Sequence, residues 1–199
     1  MPASLSSGNV SLSALVGNTV FEPVDPNAFY LLETTTLTSS ASSVSFTGLD
    51  SYTDYKHLQL RVVAKVDDPD GADVIRMNFN NDTGSNYAIH GLSGNGSSVT
   101  SFAATSRSNM SFYRFTGAGT GDEYGAAVID LLDAFNTSKN TTMRALGGVH
   151  SATAFDEIAI ATGLYINTAA ISSIALEPGQ GTNLISGSRF SLYGIKAGA

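Results

Sequence analysis

Four aspartates close together between residues 67 and 73 form the best candidate metal site in the sequence. They are Asp67, Asp68, Asp70 and Asp73. Carboxylate oxygens on a short loop are ligands that Ca²⁺ prefers. Aligned with an EF-hand loop, Asp68 and Asp70 match the first two ligand positions. The pattern then fails, because Ala72 stands at the third position and Phe79 replaces the bidentate Glu. We therefore expect a solvated turn between two strands and no bound metal.

The histidines and paired acids give no stronger signal for catalysis. His57, His90 and His150 lie on three separate segments, without the spacing of a zinc site. The carboxylate pairs that could serve glycoside hydrolysis are Asp130 with Asp133 and Asp156 with Glu157. Adjacent acids on a strand point to opposite faces, which makes the second pair a poor one.

Two glycine-containing segments also lack the residues that their motifs require. Residues 91–95 read GLSGN, with Asn95 where a nucleophile elbow needs its second glycine. Residues 117–121 read GAGTG, without the lysine of a P-loop or the spacing of a dinucleotide fingerprint. The sequence therefore predicts a protein that is not an enzyme and that carries no cofactor.

Composition excludes two further classes of partner. The chain has 199 residues, of which 42% are hydrophobic and only 14% are charged, and its net charge is −7. A protein that binds nucleic-acid backbone or anionic lipid needs a basic face, and the ten Lys and Arg residues are scattered. No segment has the length and apolar character of a membrane span, and there are no cysteines to form disulfides. We expect neither direct nucleic-acid binding nor a membrane association.

Alternating apolar residues and frequent turn-formers predict an all-β domain. In residues 57–66 the apolar side chains fall on every second position, and in residues 186–196 Phe190, Leu192 and Gly194 share one face. Tyr124–Leu132 is strongly apolar and is predicted to be a central strand, whereas a helical turn is predicted near residues 133–140. About ten to twelve short strands separated by Gly, Asn and Asp turns indicate an antiparallel, jelly-roll-like β-sandwich over residues 28–199.

Residues 1–27 are predicted to form an extended N-terminal arm. The arm carries no charge until Glu22 and is marked by Pro23 and Pro26. Its candidate partner-binding residues are Val10, Leu12, Leu15, Val16, Val20 and Phe21. One interpretation is a disordered tail, which is the usual state of an untethered terminus. The other is a segment that docks on a neighbouring subunit, which the number of apolar residues favours slightly.

Several short blocks, in order along the chain, resemble a family of virion structural proteins of tailed bacteriophages, many from aquatic hosts. The blocks are YKHLQLR (55–61), FNNDTGSNY (79–87), HGLSGNGSS (90–98), DLLDAFNT (130–137), NTAAISSI (167–174) and GSRFSLYGIK (187–196). The resemblance covers roughly residues 28–196 and leaves out the arm. It brings no catalytic residues.

The resemblance implies a surface component of a phage particle, assembled in the host bacterial cytoplasm and located in the virion. We expect a capsid decoration or cement protein that binds the major capsid protein or tail proteins, as a homotrimer by analogy with phage appendages. The alternative within the virion is a tail-fibre or baseplate module, with host glycans as its ligand.

Overall fold

The structure, a computed structural model, describes residues 25, 27–69, 72–111, 116–117, 122–150 and 156–196. Its strands, numbered β1 to β14 in chain order, form antiparallel sheets. The predicted all-β antiparallel sandwich is confirmed. The candidate arm residues Val10 to Phe21 lie outside the described residues, so the arm remains a prediction.

The larger sheet has eight strands in the order β1-β14-β3-β10-β11-β12-β6-β7. Their bounds are Phe29–Thr36 (β1), His57–Ala64 (β3), Tyr87–Gly94 (β6), Val99–Arg107 (β7), Gly125–Leu132 (β10), Thr141–Val149 (β11), Glu157–Tyr165 (β12) and Arg189–Ile195 (β14). The predicted central position of β10 is confirmed, because β10 pairs with β3 on one side and β11 on the other.

The smaller sheet has four strands in the order β2-β13-β5-β8, and β4 pairs with β9 in a separate two-stranded ladder. The bounds are Val44–Thr47 (β2), Ala72–Asp73 (β4), Ile75–Phe79 (β5), Met110–Ser111 (β8), Thr116–Gly117 (β9) and Ser173–Pro178 (β13). The chain crosses repeatedly between the two larger sheets, because β2, β5, β8 and β13 each lie between strands of the eight-stranded sheet in sequence.

The core lies between the inner faces of these two sheets. Leu58, Leu60 and Val62 of β3 are almost completely buried, as are Ile75, Met77 and Phe79 of β5. These are the faces that the two-residue period predicts to be internal. The inner face of the last strand, with Phe190 and Leu192, is buried in the same core.

A cluster of three aromatic residues closes one end of the core. Phe79 and Tyr165 meet edge to face with ring centroids 5.3 Å apart, and Tyr87 stacks on Tyr165 at 5.0 Å. The two hydroxyls find partners at the turn after β5: Tyr87 donates to the Asp82 carbonyl at 2.9 Å, and Tyr165 donates to the Asp82 carboxylate at 3.0 Å. This turn therefore anchors both buried tyrosines.

The predicted helical turn at residues 133–140 is wrong as a helix. Asp133 has a positive φ of 55°, and a single bond from the Asn136 N–H to the Asp133 carbonyl closes a tight turn. Residues 133–140 are all described, and they form turns and bends with no helix. A short 3-10 helix instead occupies Leu49–Ser51.

Candidate functional site

The acidic segment is built into the fold by hydrogen bonds from backbone N–H groups. Asp73 is fully buried. Its carboxylate accepts N–H bonds from Gly179, Gln180 and Gly181 at 2.9–3.0 Å and from Val74 at 2.6 Å. An ionised carboxylate satisfied in this way has no need of a cation, because the N–H dipoles already stabilise its charge. Asp73 thus holds the loop after β13.

Asp67 holds the next part of the same loop. Its carboxylate accepts N–H bonds from Thr182 at 2.6 Å and Asn183 at 2.9 Å, as well as the Asn183 side-chain amide at 2.9 Å. The Asn183 N–H bond is the largest of several that hold the pKa of Asp67 below its usual value. Asp70 lies outside the described residues. Over the part of the chain that is described, no group of three or more His, Cys, Asp or Glu side chains is arranged to hold a metal ion.

The structure does not bring the three histidines together. The Nδ1 atom of His57, at the start of β3, accepts the Asp133 N–H at 2.8 Å. His90 lies on the exposed face of β6, and three strands separate β6 from β3. His150 follows β11 and lies 2.8 Å from the Asp156 carboxylate on the surface. The three histidines therefore lie in three separate local environments.

The candidate acid pair Asp130 and Asp133 is engaged in ion pairs. Asp130 accepts bonds from Arg144 at 2.7 Å and from the Gln59 amide at 2.8 Å. Asp133 pairs with Lys139, whose ammonium group holds the pKa of that carboxyl below its usual value. Asp133 is thus arranged as the ionised partner of a cation, whereas a general acid needs a raised pKa. The carboxylate of Asp130 is occupied by its bonds to Arg144 and Gln59.

The segment that resembles a nucleophile elbow is part of a regular strand. Residues 91–94 belong to β6, so the sharp strand-to-helix turn of that motif is missing. A Cβ atom on Gly91 would lie 2.4 Å from the Phe102 ring and 2.7 Å from the Ile160 carbonyl. This glycine therefore makes room for an aromatic ring. Most of residues 117–121 lies outside the described residues.

The outward face of the large sheet carries a straight row of exposed aliphatic side chains. Val128, Leu146, Ile160 and Leu92 are directly opposite one another on β10, β11, β12 and β6. Each side chain is between 40% and 54% exposed. Such opposed residues have Cβ atoms about 4.5–5.5 Å apart, so the four form one continuous apolar strip.

A second row runs parallel to the first, two residues further along the strands. In it Val63, Ala126, Gly148 and Ile158 lie opposite one another on β3, β10, β11 and β12. Val99 of β7 continues the row across Gly94 of β6. We call the two rows the apolar face, defined by its large exposed members Val63, Leu92, Val99, Val128, Leu146, Ile158 and Ile160. A contiguous apolar surface of this kind is typical of an interaction site.

Strand β12 shows that the outward position of these side chains is not an accident of packing. Its sequence alternates Ile158, Ala159, Ile160 and Ala161. The alanines point to the core and are at most 7% exposed, whereas the isoleucines point outwards and are 63% and 53% exposed. A strand serving only its own core would bury its larger side chains, because burial of each aliphatic chain stabilises by about 1.5–3 kcal/mol.

A shallow groove of about 610 Å³ crosses the apolar face. Its floor includes Val63, Ala126 and Gly148, where small side chains lower the surface, and two guanidinium groups, Arg61 and Arg189, lie along one side. Among the described residues neither guanidinium has a carboxylate within 4 Å. The described part of the groove therefore combines an apolar floor with a positive edge.

Arg61 also ties this surface to the first strand. Its guanidinium lies 4.9 Å from the ring centre of Tyr193 and 5.2 Å from that of Phe29, and the two rings stack at 4.9 Å. Phe29 is the first residue of β1 and is 42% exposed. The side chain of Phe29 therefore lies on the outward face of the sheet, next to Arg61 and Tyr193.

A row of polar residues bounds the apolar face on the other side. Gln59, Asp130, Arg144, Thr162 and His90 lie opposite one another on β3, β10, β11, β12 and β6. Sequence reasoning missed the apolar face because no single strand shows it. The Ile/Ala alternation of β12 is the local signal that could have indicated it.

Among the described residues, no helix is long and apolar enough to cross a membrane.

Comparisons with protein-family models, with curated proteins and with solved structures find no match for this chain. The proposal for its function therefore depends on the geometry above and on the resemblance of the sequence blocks.

Proposed function

We propose that this chain is a structural, non-enzymatic surface component of a tailed-phage virion, a capsid decoration protein that binds neighbouring virion subunits. The observation that carries the binding role is the apolar face, whose seven large aliphatic side chains are 37–75% exposed on a rigid sheet. A surface of this kind gains free energy when a partner covers it. The phage assignment is supported by the ordered sequence blocks.

The chemistry of the polar residues supports a binding role over a catalytic one. The carboxylates of Asp67 and Asp73 accept hydrogen bonds from the backbone, and that of Asp130 forms an ion pair with Arg144. Among the described residues that line the groove on the apolar face there is no carboxylate, and the phenol of Tyr124 is the one hydroxyl. Tyr124 already donates its hydroxyl to the Ser186 carbonyl at 2.7 Å.

A particle-incorporation experiment tests this proposal. Deleting residues 1–21 is expected to leave a folded protein, because strands β1 to β14 all lie between Phe29 and Ile195 and keep their sequence intact. The truncated chain is expected to be missing from purified particles, since the arm supplies the tether. Normal incorporation of the truncated chain would rule out the arm as the attachment segment.

A tail-fibre or baseplate module that binds host glycans is the second candidate. The observation in its favour is the exposed aromatic surface on both faces of β1, with Phe29 and the stacked Tyr193 on one face and Tyr30 on the other. Against it, Tyr87 is fully buried in the core and is not available to a sugar. Glycan-array binding that disappears in Tyr30→Ala would favour the adhesin role, whereas silence on the array together with incorporation into the capsid would favour decoration.

A further inference from the structure

We infer that the groove on the apolar face receives the N-terminal arm of a second copy of this chain, with Val20 and Phe21 on its floor and Glu22 beside Arg189. The inference deepens the proposed function and names the partner of this surface. Only the biological role of the contact rests on the proposed function, because the exchange of arms between copies is measured on the purified chain.

Charge and hydrophobicity of the two surfaces match. Glu22 is the only charged side chain among residues 1–24, and two apolar residues, Val20 and Phe21, come directly before it. The groove offers the complementary pattern: an apolar floor with Arg61 and Arg189 along one side. Val20 and Phe21 would cover aliphatic surface, and the carboxylate would meet a guanidinium, the favoured bidentate partner of an acid.

The reach of the arm excludes the far part of the groove in the same chain. The arm joins the fold at Asp25, whose carboxylate lies 2.8 Å from the Lys196 ammonium, just beyond the last residue of β14. Arg189, Val63 and Ile158 lie in one row at the opposite end of these strands.

Ile158 lies four strands across the sheet from β14 and six residues along it from Ile195. The Cα atoms of Ile195 and Ile158 are therefore about 28 Å apart. Phe21 is four residues from Asp25, so their Cα atoms are at most about 14 Å apart even in a fully extended chain. Phe21 therefore cannot reach the Ile158 part of the groove in its own chain. The arm of another copy has no such restriction.

An arm that leaves one copy and enters a groove on the next is a head-to-tail contact. Contacts of this type close into rings when the rotation between copies allows it, and a trimer is the smallest ring beyond the dimer. The predicted homotrimer thus acquires a specific contact.

A disulfide trap tests the exchange directly, because the chain has no cysteine of its own. Full-length Phe21→Cys protein is mixed with full-length Ile158→Cys protein, oxidised, and analysed by non-reducing electrophoresis and mass spectrometry. We expect a mixed dimer joining residue 21 of one copy to residue 158 of another, since a disulfide needs Cα atoms within about 7 Å. Each variant oxidised alone is the control.

The inference is overturned if the mixture gives no mixed dimer above the level of random thiol pairing. It is also overturned if a chain carrying both cysteines closes the disulfide within itself. A purified full-length chain that stays monomeric at all concentrations in sedimentation would overturn it as well. Absence from phage particles with an intact mixed dimer would instead contradict only the proposed function.

The charge pair has its own test. Glu22→Arg and Arg189→Glu are each expected to weaken self-association about threefold to tenfold, and the double variant is expected to recover most of that loss. Arg107→Glu, at the end of β7 and outside the groove, is the matched control and should leave association unchanged. Equal losses in all three single variants, or no recovery in the double variant, would contradict the pairing.

Discussion

At the scale of single residues, the acidic side chains of this protein act as anchors for backbone. Asp73 accepts hydrogen bonds from three successive N–H groups of the loop after β13. Asp82, after β5, accepts hydrogen bonds from the Tyr165 hydroxyl, the Asn86 amide and the Gly84 N–H. From the sequence, the first of these resembled a fragment of a calcium loop. The hydrogen-bond partners that explain it lie more than a hundred residues away, where no local motif could show them.

Asp73→Ala is expected to lower the free energy of unfolding by about 2–4 kcal/mol, because the part-buried N–H groups of Val74, Gln180 and Gly181 lose this acceptor. Urea denaturation measures the loss. Asp67→Ala, which removes a similar cluster at an exposed site, is the matched control and should cost less. Ca²⁺ or a chelator should leave the melting temperature of the unaltered protein unchanged. A clear rise in melting temperature with Ca²⁺ would contradict the anchor role.

Asp82 is expected to make the fold sensitive to acid. Hydrogen bonds, led by that from the Asn86 amide and followed by that from the Gly84 N–H, hold the pKa of this carboxyl below its usual value of 3.8. A lowered pKa in the folded state means that the stabilisation is present above the unfolded-state pKa and is lost as the pH falls through the folded-state pKa.

The corresponding measurement is the denaturation midpoint as a function of pH, from neutral down to about pH 2. Asp82→Asn should flatten the fall in stability at the acid end, whereas Asp50→Asn, at an exposed position, should retain the original profile. A profile for Asp82→Asn as steep as that of the unaltered protein would contradict the assignment.

At the scale of strands, most of the fold could be predicted from alternation. The predicted strand at residues 124–132 agrees with the observed bounds of β10 to within one residue, and β3 and β14 differ from prediction only near their ends. In strand β12 the alternating residues Ile and Ala are both apolar. Alternation along the sequence therefore does not tell which of the two faces the core. The two-stranded ladder of β4 and β9 was missed because two-residue strands carry no period at all.

Strand β6 offers a test of how closely its neighbours pack. Gly91→Ala is expected to cost about 1–3 kcal/mol, because the new methyl group would overlap the Phe102 ring and the Ile160 carbonyl. Gly94→Ala on the same strand is the matched control, since its nearest neighbouring atom would be 3.8 Å away. Thermal unfolding should separate the two variants clearly, and equal melting temperatures would show that β7 can shift aside.

At the scale of the whole molecule, the apolar face arises from the register of six adjacent strands, β3, β10, β11, β12, β6 and β7. No segment of the sequence contains it, because Val128, Leu146, Ile160 and Leu92 become neighbours only when β10, β11, β12 and β6 pair as they do. The candidate site was therefore beyond local sequence reasoning, whereas the sandwich was within it. The N-terminal arm remains a prediction from sequence.

If the apolar face serves assembly, polar side chains on it should not weaken the isolated fold. Leu146→Ser with Ile160→Ser is expected to change the free energy of unfolding of the monomeric state by no more than about 1 kcal/mol. Ile129→Ser, on the buried face of β10, should cost about 3 kcal/mol. A large loss of stability in the double variant would mean that these side chains support the fold of the single chain.

The most direct test of the account is an electron-microscopy image of a tailed-phage particle in which this chain carries a label after Lys196. The account predicts the label at regular positions on the outer capsid surface, and its loss from particles when Leu146→Ser and Ile160→Ser are introduced together. Purified particles without the label, or a label confined to the tail, would contradict the assignment to capsid decoration.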